Sequence, residues 1–297
     1  MNGLGLMNKK LFCFGFGKVA TQLSLKLLQQ GWKVNGTCRG NEKKDLLEGM
    51  GFSAKVFFPP DIIPDIKDDL ANSSHILASI PPSDEGCLSI KYYNKILESL
   101  KGKKWLGYIS STSVYGHYGK EWVDEFSKPI TKTTIGLNRL LAEGQWEKMS
   151  SQNETILQIF RVGGIYGPKR NQIHKYRNPS EKNYIIYDDI KFNRIHQDDL
   201  VGVILASFKE NQKNNIFNVV DDEPASMNEQ AKFICKILNV PLPKFVKLND
   251  LKLTGKKQEF YKERKLVKNN LIKEKLGYEL IYPSYREGLK AIIDKDT

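Results

Sequence analysis

At 297 residues the chain is long enough for one large α/β domain, or for a nucleotide-sized domain carrying a smaller lobe. Its 40% apolar and 27% charged residues exclude a disordered or fibrous protein. The net charge of +12 is spread along the chain, mostly as lysine, so it reads as solubilising charge and not as a nucleic-acid groove. The densest basic stretch, LTGKKQEFYKERKLVKNN, has acids interspersed and reads as a solvated helix face. Cys13, Cys38, Cys87 and Cys235 lie far apart with no C-x-x-C pair, which excludes a cysteine zinc site or disulfide framework and fits a reducing compartment. No run reaches the roughly 18 apolar residues a membrane span needs, and the first residues lack a cleavable signal pattern. A cytoplasmic protein with no metal, membrane or nucleic-acid partner is expected; monomer and homodimer are equally open.

The elements follow in chain order. KKLFCF is an apolar strand that turns on glycines into a helix with Val19, Leu23, Leu27 and Leu28 at helical spacing. WKVNGTCR is a second strand, NEKKDLLEGMG a helix closed by glycine, SAKVFF a third strand and SSHILASIPP a fourth, stopped by prolines. GCLSIKYYNKILESLKG is helical, KKWLGYISSTS a fifth strand, TTIGLNRLLAEGQWEKMSS a helix and ETILQIFRVGG a sixth strand. Strands alternating with helices of this length build a Rossmann-type doubly wound parallel sheet covered on both faces. After YGPKR a polar, aromatic stretch intervenes before the apolar strand NIFNVV, and the last 75 or so residues read as mostly helical. The expected division is a core of 8–167 to which 192–222 returns. A small, mostly helical substrate lobe of 168–191 and 223–297 would lie over the carboxyl ends of the sheet.

FGFGKVA places Gly15-x-Gly17-x-x-Ala20 at the first strand-to-helix turn. Gly15 permits the turn, Gly17 lets backbone approach a pyrophosphate, and Ala20 lets the helix pack on the strand. Phe16, Lys18 and Val19 complete a cradle at the helix N-terminus, where free N–H groups favour a diphosphate. The second strand ends in Thr37, Cys38 and Arg39, with Lys43 and Lys44 beyond and no carboxylate to accept from ribose hydroxyls. NADP is therefore favoured over NAD, which stays open because Arg39 has a bland alternative as a surface residue.

Several motifs fall in one order: the glycine turn, SSTSVYG at 110–116, RVGGIYGP at 161–168, NRIHQDDL at 193–200, NVVDDEP at 218–224 and YPSYREGL at 282–289. With these the chain resembles an atypical extended short-chain dehydrogenase/reductase of the NAD(P)-dependent epimerase/dehydratase superfamily. The resemblance implies that Ser111 orients the substrate oxygen with Thr112 beside it, and that Ser110 lies against the cofactor. It implies that Val162 and Gly163 lie beside the nicotinamide, that Gly164 and Ile165 face substrate, and that Asn193 and Arg194 reach substrate from the second lobe. Ser79, Ile80 and Pro81 would cross the adenosine-pyrophosphate half.

One position departs from the pattern. Anchored on Glu143, the helix motif Tyr-x-x-x-Lys becomes Ile135 and Arg139. A tyrosine there is worth roughly 10²–10⁴ in rate as an acid/base group; isoleucine moves no proton, and Arg139 would donate hydrogen bonds to the nicotinamide ribose without shuttling one. Tyr115, His117 and Tyr118 stand where a substitute acid would be needed, each with a structural alternative, and His196 reads as a histidine at a helix entry. The expected protein is an NAD(P)-dependent oxidoreductase or epimerase-like enzyme for a small polar, sugar-derived molecule. A cofactor-binding sensor or scaffold without turnover is the alternative.

Overall fold

The computed structural model describes residues 9–177, 184–187, 189–210, 215–252 and 254–296. The first half alternates strand and helix: β1 (Lys10–Phe14), α1 (Lys18–Leu28), β2 (Lys33–Cys38), α2 (Asn41–Gly49), β3 (Ser53–Val56), α3 (Lys67–Ala71), β4 (His75–Ala78), α4 (Leu88–Glu98) and β5 (Trp105–Ser111). Next come β6 (Trp122–Val123), α5 (Thr134–Ser151), β7 (Ile156–Val162), β8 (Gly164–Tyr166), α6 (Ile173–Arg177), β9 (Tyr184–Tyr187), β10 (Arg194–His196), α7 (Gln197–Ala206) and β11 (Asn215–Val219). The last part holds α8 (Met227–Leu238), β12 (Lys244–Lys247), α9 (Gly255–Lys262), β13 (Leu266–Val267), α10 (Asn270–Glu274) and α11 (Tyr285–Asp296).

Seven strands form one parallel sheet in the order β11-β7-β5-β4-β1-β2-β3. Its strands are buried along their length rather than on alternate residues, as in β4 and β7, because helices cover both faces of a parallel sheet. β1 pairs with β2 on one side and β4 on the other, so the strand order reverses at β1. The crevice at the carboxyl ends of such neighbours is where open α/β sheets take ligands, and the glycine turn sits there. Three two-stranded parallel ladders join distant segments: β8 with β10, β9 with β12, and β6 with β13.

The chain divides into two compact units. The first holds the described residues of Met1–Ser110, Leu137–Phe160 and Ile204–Ile216, and the second those of Ser111–Gly136, Arg161–Val203 and Phe217–Thr297. This division differs from the expected one: 111–136 and 161–167 belong to the second unit, and only 204–216 returns to the first. Residues 178–183, 188, 253 and 297 of the expected lobe lie outside the described residues. In the first unit Phe12, Phe14, Tyr108 and Leu157 pack with Trp146 of α5. In the second, α8 and α11 bring Ala231, Ile234, Leu289 and Ile292 against Tyr166 and Tyr285.

α8 starts on a capping box in which the Ser226 hydroxyl accepts the Glu229 N–H and the Glu229 carboxylate accepts the Ser226 N–H. Ser226→Ala is expected to cost about 1 kcal/mol in urea unfolding, because one helix-end donor loses its partner. Among the described residues no helix is long and apolar enough to cross a membrane.

Candidate functional site

In the first unit a cavity of about 440 Å³ opens over the glycine turn. The turn is held from both sides. The Gly15 N–H donates to the Thr37 hydroxyl at 3.0 Å, and the Ser79 hydroxyl donates to the Gly15 carbonyl at 2.6 Å. Gly15 has φ +88°, and a Cβ there would come within 2.7 Å of Ile80 Cγ1. A Cβ on Gly17 would meet nothing within 4 Å, so the space above the turn is open. Gly17 is the N-cap of α1, whose first turn has no acidic residue. Its leading N–H groups have no intrahelical acceptor, an arrangement that attracts a diphosphate. Beyond the turn the wall is apolar (Phe57, Phe58, Pro59, Ile80, Pro81 and Leu88), with Arg39 and Lys43 as its cations and no carboxylate. A flat aromatic base and an anionic ribose phosphate match that combination, and the donor set fits the adenosine diphosphate half of a dinucleotide.

Of the residues expected there, Gly15, Phe16, Gly17, Thr37, Cys38, Arg39, Ser79, Ile80 and Pro81 do line the cavity. Thr37 and Ser79 serve it by bracing the turn. Phe16 stacks on Phe52 with ring centroids 5.5 Å apart, and its N–H is bonded to the Thr37 carbonyl, so it shapes the wall rather than offering a donor. The Cys38 thiol donates to the Gly40 carbonyl, and burial raises its pKa, which leaves it a neutral packing group. Lys18 and Val19 lie in the first turn of α1, outside the lining.

Ser110 and Arg139, also in the first unit, are engaged elsewhere. The Ser110 hydroxyl is hydrogen-bonded to the buried Glu143 carboxylate. The Arg139 guanidinium donates to the Ile109 carbonyl at 2.6 Å, with the Tyr108 hydroxyl at 3.5 Å. Neither residue lines either cavity. The lysine-equivalent position of the helix therefore ties α5 to β5.

The second unit has its own cavity, about 620 Å³, and Ser111, Thr112, Gly164, Ile165, Asn193 and Arg194 all line it, as do Val162 and Gly163. Ser111 caps a short 3₁₀ turn, accepting the Ser113 N–H at 3.2 Å, which leaves its own O–H to donate. Ile135 is on the wall and 42% exposed, an apolar group where the sequence resemblance implies a tyrosine. Asn193 spends its amide on backbone, donating to the Lys265 carbonyl and accepting the Val267 N–H. Arg194 is buried and donates to the Phe192 and Ala225 carbonyls. Both are thus braces of the wall first.

The substitute acids that the sequence suggested line neither cavity. Tyr115 has no exposed surface; its hydroxyl donates to Asn218 Oδ1 at 2.7 Å, and Arg161 lies 4.9 Å from its ring centroid. Burial pushes its pKa up to about 12, and it is absent from the cavity lining. His117 accepts the Arg264 N–H, while Tyr118 donates to the Lys128 carbonyl. His196 accepts the Asp198 N–H at the entry of α7 and packs on Tyr282, 4.1 Å between centroids.

Two groups that sequence reasoning passed over stand in the cavity wall instead. Glu263 and Lys265 belong to the basic stretch read as a solvated face, yet each side chain is only 10% exposed and they pair at 3.2 Å. The reading failed because neither belongs to a motif. They are buried by β13 pairing with β6, a two-residue ladder with no periodicity of its own.

No family model matches the sequence. The chain is 22% identical over 285 residues to Protein YeeZ of Escherichia coli K12, covering 93% of this chain and 97% of that one. Its fold is like that of UDP-glucuronic acid 4-epimerase from Bacillus cereus, solved with UDP-glucuronic acid and NAD, at TM-score 0.73 and 18% identity over 96% of this chain and 98% of the other. A parallel sheet reversing at β1, a glycine turn at the reversal and a serine-bearing Val-Tyr-Gly turn after β5 together define a Rossmann-type α/β fold, which the chain shares with that epimerase. Within it the chain belongs to the family of a conserved protein of unknown function from Silicibacter pomeroyi DSS. The two are 31% identical over 97% of this chain and 99% of the other, with a TM-score of 0.87.

Proposed function

We propose that the protein is an NAD(P)-dependent oxidoreductase or epimerase-like enzyme for a small polar, sugar-derived substrate. The adenosine diphosphate half of the cofactor takes the cavity over Gly15–Gly17, and the substrate takes the cavity that contains Ser111. The observation that carries this reading is the open space above Gly17 at the start of α1, backed by Arg39 and Lys43 without a carboxylate. Those two cations favour NADP over NAD, through the extra ribose phosphate. A bound nicotinamide dinucleotide supplies hydride transfer. The chain's own contribution is to hold the substrate oxygen on the Ser111 hydroxyl and to enclose it between Thr112, Gly164 and Ile165.

The second cavity favours an enzyme over a sensor. A protein that only bound cofactor would need no second pocket in which Ser111, Gln230, Glu259 and Lys265 stand among apolar side chains. Thermal melts with NADP, NAD and no ligand test the cofactor. Ligand at 100 times its Kd should stabilise the fold by about 2.7 kcal/mol, and NADP should act at the lower concentration. Identical melting in all three would end the reading. NADPH consumption with aldehyde, ketone and nucleotide-sugar panels then tests the chemistry, with Ser111→Ala expected to slow it.

A further inference from the structure

The cavity around Ser111 lacks the tyrosine that the sequence resemblance implies at position 135, but it does not lack a proton-transfer group. Lys265 lines the same cavity as Ser111 and Ile135, nine-tenths buried. Its position is held at several points. Its carbonyl accepts from the Asn193 amide at 3.1 Å, the next residue's N–H donates to the Glu121 carbonyl at 3.1 Å, and the preceding residue's N–H donates to His117 at 3.2 Å. Its ammonium pairs with Glu263, whose other oxygen accepts from the Thr131 hydroxyl at 2.9 Å. Thr131 contacts the Thr133 hydroxyl at 3.2 Å, and Thr133 accepts the Gly136 N–H at 3.3 Å. A continuous chain of hydrogen bonds therefore runs from Lys265 to the backbone beside Ile135.

We propose that Lys265 is the acid/base group at the substrate oxygen, acting from the C-terminal segment in place of the tyrosine missing at Ile135. The inference rests on the enzyme reading given above. In the direction of oxidation the neutral amine takes the proton of a substrate hydroxyl. The O–H bond breaks, an N–H bond forms, and the electron pair of the broken bond stays on oxygen. In the direction of reduction the ammonium returns that proton to the oxygen. The neutral amine is accessible because burial lowers the Lys265 pKa from 10.5 against the opposing pull of Glu263. The other charged groups on this wall are Glu259, Arg170, Lys191 and Arg194. Lys191 is paired with Glu229 and Arg194 is bonded to backbone carbonyls, so Glu263 is the acid in contact with the ammonium.

Three measurements test this. Competitive acetylation of the ligand-free protein with acetic anhydride, read by peptide mass spectrometry across pH, should show Lys265 half-titrating below the exposed lysines; titration together with them would overturn the proposal without reference to turnover. On the best substrate of the NADPH panel, Lys265→Met should lower kcat by roughly 10²–10⁴ with KM little changed. Lys265→Arg keeps the charge and length but not a proton that can leave, so it should fail to restore kcat; restoration by arginine would assign Lys265 a structural or binding role. If both dinucleotides stabilise the protein and Lys265→Met still turns over at the wild-type rate, the lysine falls and the enzyme reading stands. If neither dinucleotide stabilises the wild type, the enzyme reading falls and takes the lysine with it.

Discussion

Gly15→Val is expected to lower stability by about 3 kcal/mol and to abolish the melting response to NADP and NAD. Gly15 sits at φ +88°, where a β-branched side chain is strained by roughly 1–3 kcal/mol, and its Cβ would lie 2.7 Å from Ile80 Cγ1. Relief would require Ile80 or the turn to move. The turn is gripped by the Thr37 and Ser79 hydroxyls on opposite sides, so movement breaks hydrogen bonds that place the start of α1. Gly17→Ala is the informative partner, because its Cβ meets nothing and its φ of −75° suits any residue. It should keep stability within about 1 kcal/mol while cutting dinucleotide affinity at least tenfold, since the new methyl occupies the space that a diphosphate needs. Urea unfolding and thermal melts with and without ligand read both effects. A Gly17→Ala protein with wild-type response would show that nothing approaches the turn.

The second large effect is alkaline destabilisation through Asp221. This carboxyl is 2% exposed, and its own N–H is bonded to the Arg194 carbonyl at 2.6 Å. Burial pushes its pKa from 3.8 up to about 8, with Arg194 pulling the other way. Between those values the folded protein keeps a proton that the unfolded chain releases. The stabilisation is complete below about pH 3.8 and is lost as pH rises through about 8. Raising pH from 6 to 9 should therefore cost about 2–3 kcal/mol through this one group, seen as a fall of several degrees in Tm. Asp221→Asn, neutral at every pH, should flatten that slope. Superimposable pH profiles for wild type and variant would show that Asp221 titrates alike in the folded and unfolded chain.

Legibility followed the range of the interactions. The strands of the seven-stranded sheet were readable as apolar runs of four to seven residues bounded by turn residues, and the glycine turn by its spacing. The short helix Lys67–Ala71 was missed because five residues carry no amphipathic repeat. The ladders β6–β13, β8–β10 and β9–β12 were missed for the same reason, and they shape the second unit. The partners of Tyr115 and Arg139 were not legible either. Tyr115 points at Asn218, 103 residues later, and Arg139 back at Ile109, neither of which a local motif encodes.

What the sequence determined by itself is the alternation that makes a parallel sheet and the glycine turn at its point of reversal. Both depend on the sterics and periodicity of residues adjacent along the chain. Only the tertiary structure decided which polar groups meet in a cavity. Glu263 reaches Thr131 across 132 residues, and Lys265 is desolvated only where that contact and the pairing of β13 with β6 bring distant segments together around it. Burial sets the chemistry of a titratable side chain, and here burial comes from segments distant in the chain.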